Sequence, residues 1–545
     1  MTVADFTLVN CDLPLLGIDG LHAISVANGT ITAVEPMAAH RPVSNAAVFD
    51  AHGRSVIPAF TDAHVHLVES GVELARCDLS ATGSRDEALA RIADYCAHSD
   101  ADWVIGRGWS LDHFEDTGRM LGELDAITGA RPAYLANKDG HSAWVNSAAL
   151  ARAGVDDRTA DPAGGRIERD ADGRAVGLLH ESAMQLVSEL MPPMDEATRL
   201  AGLRAGQKHL LALGVTGWQE AIVGDFVPTT NVFGTYLTAL ERGEIVGQAT
   251  GNLWLPREHP EQALPEFIAA RERVAPNDHL ALNGVKVMYD GVCETFTAAI
   301  SQPYTDDTQT NSGLTFFEPA QLTPIMRDID RAGFDIHVHA IGDRATDEIL
   351  TVFESFMRGV PTRDHRHQIA HLQITNSALI DRMAALGIIA NVQPFWAQSD
   401  AQMTQMTLPY LAESLRATQY QFRSMARAGV SLAFGSDWPV TTPNPMDWIH
   451  VAVNRDYPGE TDGPFLPEEA LSVRMAFEAA TSGAARAARQ DARGVIEPGR
   501  QGDLVVLDRT LAEVPDEELH DVAVAATIVR GDVVFERGAV TPAAR

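Results

Sequence analysis

The nine residues Ala59-Phe60-Thr61-Asp62-Ala63-His64-Val65-His66-Leu67 place two imidazoles two positions apart, just after an apolar run, Val56-Ile57-Pro58-Ala59-Phe60. That run reads as a buried strand, and side chains along a strand repeat every two residues. His64 and His66 therefore point the same way, as two ligands of one cation must. Further donors recur at the ends of later apolar runs. Lys286 lies in Gly284-Val285-Lys286-Val287-Met288, His339 ends Phe334-Asp335-Ile336-His337-Val338-His339, and His371 closes His367-Gln368-Ile369-Ala370-His371. Asp437 follows the last run in Gly435-Ser436-Asp437-Trp438-Pro439. Imidazoles with a carboxylate oxygen suit zinc and related divalent ions. Such an ion brings the pKa of a bound water from ~15.7 toward ~7, so the chemistry these residues point to is hydrolysis. A lone His-x-His pair would carry little; recurrence at strand ends is the specific signal.

The elements that must hold these donors alternate. After the first strand, apolar runs at 214–218, 250–255, 284–288, 334–339, 367–371, 387–392 and 430–435 make eight, with helical patterns such as 320–332 and 343–356 between them. This predicts an α/β fold, a closed (β/α)8 TIM-like barrel whose site is built at the C-terminal ends of its strands; a doubly wound open sheet is the alternative. The stretch from about 70 to 205 is far longer than a βα connection and predicts an inserted subdomain. Short strands at both termini, including an Asn28-Gly29 turn and Asp503-Leu504-Val505-Val506-Leu507, predict a small β-sandwich from residues 1–58 and 488–545, with the barrel at 59–487.

A chain of 545 residues, 45% hydrophobic, can bury a large core. Lys and Arg number 42 against 74 Asp and Glu, a net charge of −32, which argues against nucleic acid or an anionic membrane as partners. Cys11, Cys77, Cys96 and Cys293 show no paired spacing and read as reduced thiols. No signal-peptide pattern opens the chain, and no apolar stretch reaches the roughly 18 residues of a membrane helix. The expectation is a cytoplasmic protein acting on a small molecule, with a homodimer left open.

The pattern resembles the amidohydrolase superfamily of metal-dependent hydrolases from Val56 to about Leu507, and within it the large subgroup that includes N-substituted formamide deformylases. The motifs that carry the resemblance are Asp139-Gly140-His141-Ser142-Ala143-Trp144-Val145-Asn146-Ser147, Val338-His339-Ala340-Ile341-Gly342-Asp343-Arg344-Ala345 and Ile496-Glu497-Pro498-Gly499-Arg500-Gln501-Gly502-Asp503. The resemblance implies one or two divalent ions, zinc foremost. His64 and His66 would hold the more buried ion and His339 and His371 the second. Lys286 would bridge them after capturing carbon dioxide as N6-carboxylysine, and Asp437 would touch the first ion and shuttle the proton. It implies hydrolysis of a C–N bond in a small amide, N-substituted formamides first. Deamination or ring opening of a heterocycle is the runner-up, and a non-catalytic binding barrel ranks last. Two departures stand out. Ala370 precedes His371 where relatives commonly have Glu, which leaves the support of His371 unexplained, and Tyr289 to Thr297 follows the deformylase pattern. His337 reads as structural, and His365 and His367 as solvated at the wrong end of their strand. His141, in the insertion, is a candidate to reach substrate, and Trp109, Phe296, Phe395, Trp396 and Trp438 are candidates to line the pocket.

Overall fold

The computed structural model describes the chain except residues 1–5, 42–45, 81, 111–116, 138–141, 163–164, 193, 226–230, 275, 306–309, 358–363, 459–462 and 538–545. Eight parallel strands form one sheet in sequence order: Phe60–Val65, Val215–Val223, Gln248–Trp254, Leu280–Met288, Asp335–Ala340, Gln368–His371, Ile389–Val392 and Leu432–Phe434. The first, fifth, sixth and seventh strands are buried at every position, and polar residues such as Asp335, His337 and His339 alternate with apolar ones along them. The sheet curls until its eighth strand meets its first: Asp437 N–H donates to the His64 carbonyl at 2.7 Å, and His66 N–H donates to the Trp438 carbonyl at 2.9 Å. The result is a TIM-like barrel.

Its interior is not filled by branched apolar side chains alone. Gln219, Asn252, Gln368 and Asn391 form a buried amide layer below the strand ends. Gln219 Nε2 donates to Asn252 Oδ1 at 3.0 Å, and Asn391 Nδ2 to Gln368 Oε1 at 2.9 Å and to the Ala63 carbonyl at 2.8 Å. Amides buried at this depth need partners, and each of these donates to another interior group.

The expected opening strand, Val56 to Phe60, is two elements. Val56–Pro58 pairs antiparallel with Leu504–Leu507, and the chain then changes sheets: Ala59 N–H donates to the Asp503 carbonyl at 3.0 Å and Phe60 N–H to the Gly214 carbonyl at 3.0 Å. Periodicity could not see this switch, because both halves are apolar and equally buried. Around Val56–Pro58 lie a sheet ordered Asp532–Glu536, Val524–Val529, Leu504–Leu507, Val56–Pro58, and a sheet ordered Thr30–Pro36, His22–Ala27, Phe6–Cys11, Ala47–Asp50. Phe6, Leu8, Ile24 and Val26 of the latter share one apolar cluster with Val56, Leu504, Val506 and Ile528 of the former.

Two units are distinguishable, Met1–Leu67 with Gln207–Arg545, and Val68–Gly206. The second has its own six-stranded mixed sheet and its own cores, one around Trp109, Trp144 and Leu135, the other around Tyr134, Val145 and Leu179. No helix among the described residues is long and apolar enough to cross a membrane.

Candidate metal centre

The first and eighth strands bring three donors together. His64 Nε2 and His66 Nε2 lie 3.4 and 3.2 Å from the same oxygen, Asp437 Oδ1. The close approach needs a glycine: a Cβ on Gly435 would sit 2.6 Å from the His64 nitrogen and 2.7 Å from its Cβ. Asp437 holds φ at +56°, a left-handed conformation that non-glycine residues adopt at a cost of about 1–3 kcal/mol and that clusters at functional sites. The turn is pinned from below by Asp62, which accepts Ser436 N–H at 3.0 Å, Ser436 Oγ–H at 2.5 Å and His64 N–H at 3.0 Å. Burial still pushes the Asp62 carboxyl up to about 7.

Across the barrel mouth the rings of His339 and His371 lie 4.5 Å apart, and His371 is 4.9 Å from His64. His371 also has a left-handed backbone, φ +77°, and Leu372 N–H reaches back to the Ala370 carbonyl at 3.1 Å. His371 is thus the centre of a three-residue turn of the rare, strained hand. Its Nδ1 faces Gln393 Oε1 at 2.8 Å, so Nδ1 carries the proton and Nε2 keeps its lone pair. Gln393 therefore supplies the support that Ala370 does not. His339 Nε2 faces the Gly291 carbonyl at 3.1 Å, which leaves Nδ1 as the nitrogen with a lone pair. Asp290 stands behind it, 3.6 Å from Nε2, and accepts the backbone N–H groups of Ala299, Ile341 and Gly342 at 2.9–3.0 Å.

Lys286 lies between the two groups. It is 3% exposed, its Nζ is 3.4 Å from His64 Nε2, and burial lowers its pKa to about 7 against the opposing pull of Asp437. Burial likewise holds His64 and His371 well below the ordinary imidazole range and brings His339 to about 3, with Lys286 adding to each shift. Neutral imidazoles with unprotonated nitrogens converging on a carboxylate are the donor set a divalent cation takes. The residues fit the metal.

The other expected site residues fall differently. Trp396 is half-buried and stacked on His371, rings 5.2 Å apart and planes within 5°. Trp438 is buried next to Asp437, its indole against His209. Phe296 packs edge-on against Tyr304 and Tyr410, and Phe395 against Tyr457. Trp109 is a correction: it is fully buried in the core of the insertion, where its indole N–H donates to the Leu135 carbonyl at 2.8 Å. His141 lies outside the described residues. His367 and His365 are not solvated either; His367 is fully buried, and both rings face Asp330 Oδ1, at 3.3 and 3.1 Å. Those three could be taken for a second metal site. Yet His367 Nδ1 accepts the Ile336 N–H at 3.1 Å, so its proton sits on Nε2, the atom a cation would need.

A barrel with imidazole and carboxylate donors converging at the C-terminal mouth defines the class as metal-dependent hydrolases. Residues 47–535 match the amidohydrolase family, and the chain belongs to it. It is 32% identical over 494 residues to the protein LONG AFTER FAR-RED 3 of Arabidopsis thaliana, covering 89% of this chain and 82% of that one. It is 28% identical over 536 residues to the N-substituted formamide deformylase of Arthrobacter pascens, covering 94% and 95% of the two. Among solved structures, an uncharacterized metal-dependent hydrolase from Pyrococcus horikoshii OT3 shares the fold with a TM-score of 0.73 at 23% identity, over 94% of this chain and 99% of that one.

Proposed function

We propose that this hydrolase cleaves the C–N bond of a small amide, with N-substituted formamides as the first substrate class, using one or two zinc-type ions. The observation that carries this is the meeting of His64 Nε2 and His66 Nε2 on Asp437 Oδ1, with the His339–His371 pair beside it and Lys286 between. The substrate class is supported by the end-to-end similarity to a formamide deformylase and by the Tyr289–Thr297 stretch that follows that pattern.

His64, His66 and Asp437 would hold one ion, and His339 and His371 the other. Lys286, as a carbamate, would supply an oxygen to each. When bound, the metal acidifies water and polarises the substrate carbonyl. Asp437 accepts the proton of the attacking water at its carboxylate and passes it to the departing nitrogen, base first and acid second. The amine of Lys286 must be neutral to take up carbon dioxide, and a pKa near 7 leaves a large neutral fraction at neutral pH. Trp396, stacked on His371, covers one face of that ring and sets an apolar surface beside the donors.

The test is turnover of a panel of formamides, acetamides, hydantoins and aminoheterocycles by purified protein, read by mass spectrometry with and without a chelator. Formate release that stops on chelation is the expected result. Ammonia release would assign a deaminase instead, and purified protein free of metal and inert to the panel would overturn the reading.

A further inference from the structure

His337 belongs to neither ligand group, yet it is 1% exposed and its Nε2 lies 2.9 Å from Nδ1 of His64. The two rings are 4.8 Å apart and 63° to one another, an edge-on arrangement in which an N–H of one ring meets a lone pair of the other. One proton must lie between these two nitrogens, and the far side of His64 decides which atom carries it. There, Nε2 points at Asp437 Oδ1 and Lys286 Nζ, each 3.4 Å away. A neutral imidazole presents a lone pair to a cation only on its unprotonated nitrogen, and the bond made by the other nitrogen sets which one that is. The proton of a metal-binding His64 therefore sits on Nδ1, and His337 Nε2 accepts it.

We propose that His337 is a positioning residue: by accepting the Nδ1–H of His64 it holds that ring in the tautomer and orientation that turn Nε2 to the metal. This rests on the metal-dependent reading above. Metal-binding histidines usually donate to a carboxylate, a backbone carbonyl or water; an uncharged ring in that role adds no further negative charge beneath a site that already contains Asp437. The chain of bonds continues one residue further. Accepting at Nε2 puts the proton of His337 on Nδ1, which lies 3.4 Å from Gln219 Nε2. Gln219 Oε1 is buried without a hydrogen-bond partner among the described residues. A half-turn of that amide presents Oε1 to the His337 N–H in exchange for its 3.0 Å bond to Asn252 Oδ1. A glutamine can face either tautomer of His337, with metal bound or absent, which a carboxylate could not do.

A ring that only filled volume beneath the site would make different predictions, and two variants of similar length separate the readings. His337→Gln keeps an acceptor oxygen, whereas His337→Met keeps bulk without a strong acceptor. Zinc dissociation constants are measured by competition with a chromogenic chelator, together with thermal unfolding of each protein. The Met variant is expected to bind zinc roughly 10–100-fold more weakly, the usual cost of losing such a partner, and the Gln variant within a few-fold of wild type. Equal affinity in all three proteins, or equal loss in both variants, overturns the proposal. If the Met variant does not fold, selective 15N-histidine labelling of the zinc-loaded wild type reads the tautomer directly, and a proton found on Nε2 of His64 overturns it. Failure of the wild type itself to bind zinc would sink the metal-dependent reading rather than the role of His337.

Discussion

Acidifying the metal-free protein should destabilise it through the ligand cluster, over a pH window that the structure sets. His339 has its pKa depressed from 6.5 to about 3, chiefly by burial and then by Lys286. Its folded form therefore stays neutral where the unfolded chain already takes up a proton. Below pH 6.5 the unfolded state binds more protons, so stability rises with pH and falls on acidification. The contribution is complete above about pH 6.5 and is lost progressively down to about pH 3. At ~1.4 kcal/mol per pKa unit, His339 alone withdraws about 2 kcal/mol by pH 5 and on the order of 5 kcal/mol by pH 3. That is comparable with the ~5–15 kcal/mol of a typical folded protein. His64 and His371 are depressed in the same direction and steepen the loss. The assay is urea unfolding of chelator-treated protein at pH 7, 6 and 5, followed by tryptophan fluorescence, for the wild type and for His339→Gln. Whatever else titrates is common to both proteins, so the difference in slope isolates one proton. Between pH 7 and pH 5 the variant should lose about 2 kcal/mol less than the wild type, most of it below pH 6. Identical slopes would refute the claim that this imidazole is held neutral in the folded state.

Three further outcomes follow from the same geometry. Asp437→Asn should keep the fold and at least one equivalent of zinc, and lower kcat by about 10²–10⁴-fold, the usual worth of a placed general base; wild-type turnover by that variant would remove Asp437 from the proton path. Gln393→Leu deletes the 2.8 Å bond that holds His371 Nδ1, and should weaken metal binding or activity by ~10–100-fold, measured by chelator competition. Gly435→Ala inserts a Cβ at 2.6 Å from the His64 backbone nitrogen; displacement of the ligand by about an ångström should cost on the order of 10²-fold in kcat/KM, and full activity in that variant would show that the first and eighth strands can part without harm.

How much of this was legible in the sequence depends on the range of the rule involved. His64, His66, Lys286, His339, His371 and Asp437 stand out because strand periodicity and the βα repeat are local, and a barrel turns five local strand ends into one mouth. The long gap after residue 70 is legible by its length, and Val68–Gly206 is distinguishable as a compact unit. What local rules could not show was which of two sheets an apolar run joins, so the break at Pro58 and Ala59 went unseen. Nor could they show what lies over a side chain from a distant element. His367 reads as solvated at the start of its strand, but the Asp330 carboxylate of helix Pro319–Arg331, which precedes the neighbouring fifth strand, covers it. Trp109 looked like a pocket wall, but the insertion needed a core of its own.

The support of the ligands follows the same logic. Gln393 is 22 residues from His371, and His337 is 273 from His64; no spacing rule spans such separations. The residues that bind a cation carry a chemical signature that survives in one dimension, because few side chain types can donate to a metal. The residues that orient those ligands do not, because an amide, an imidazole, a carboxylate or a backbone carbonyl can each accept the N–H of a histidine. His371 makes the point concrete: Ala370 beside it offers no side-chain acceptor, and the partner of its Nδ1 is Gln393, just past the end of the next strand, Ile389–Val392. The fixed element of such a site is the tautomer of each ligand, and the means of fixing it can be read only in three dimensions.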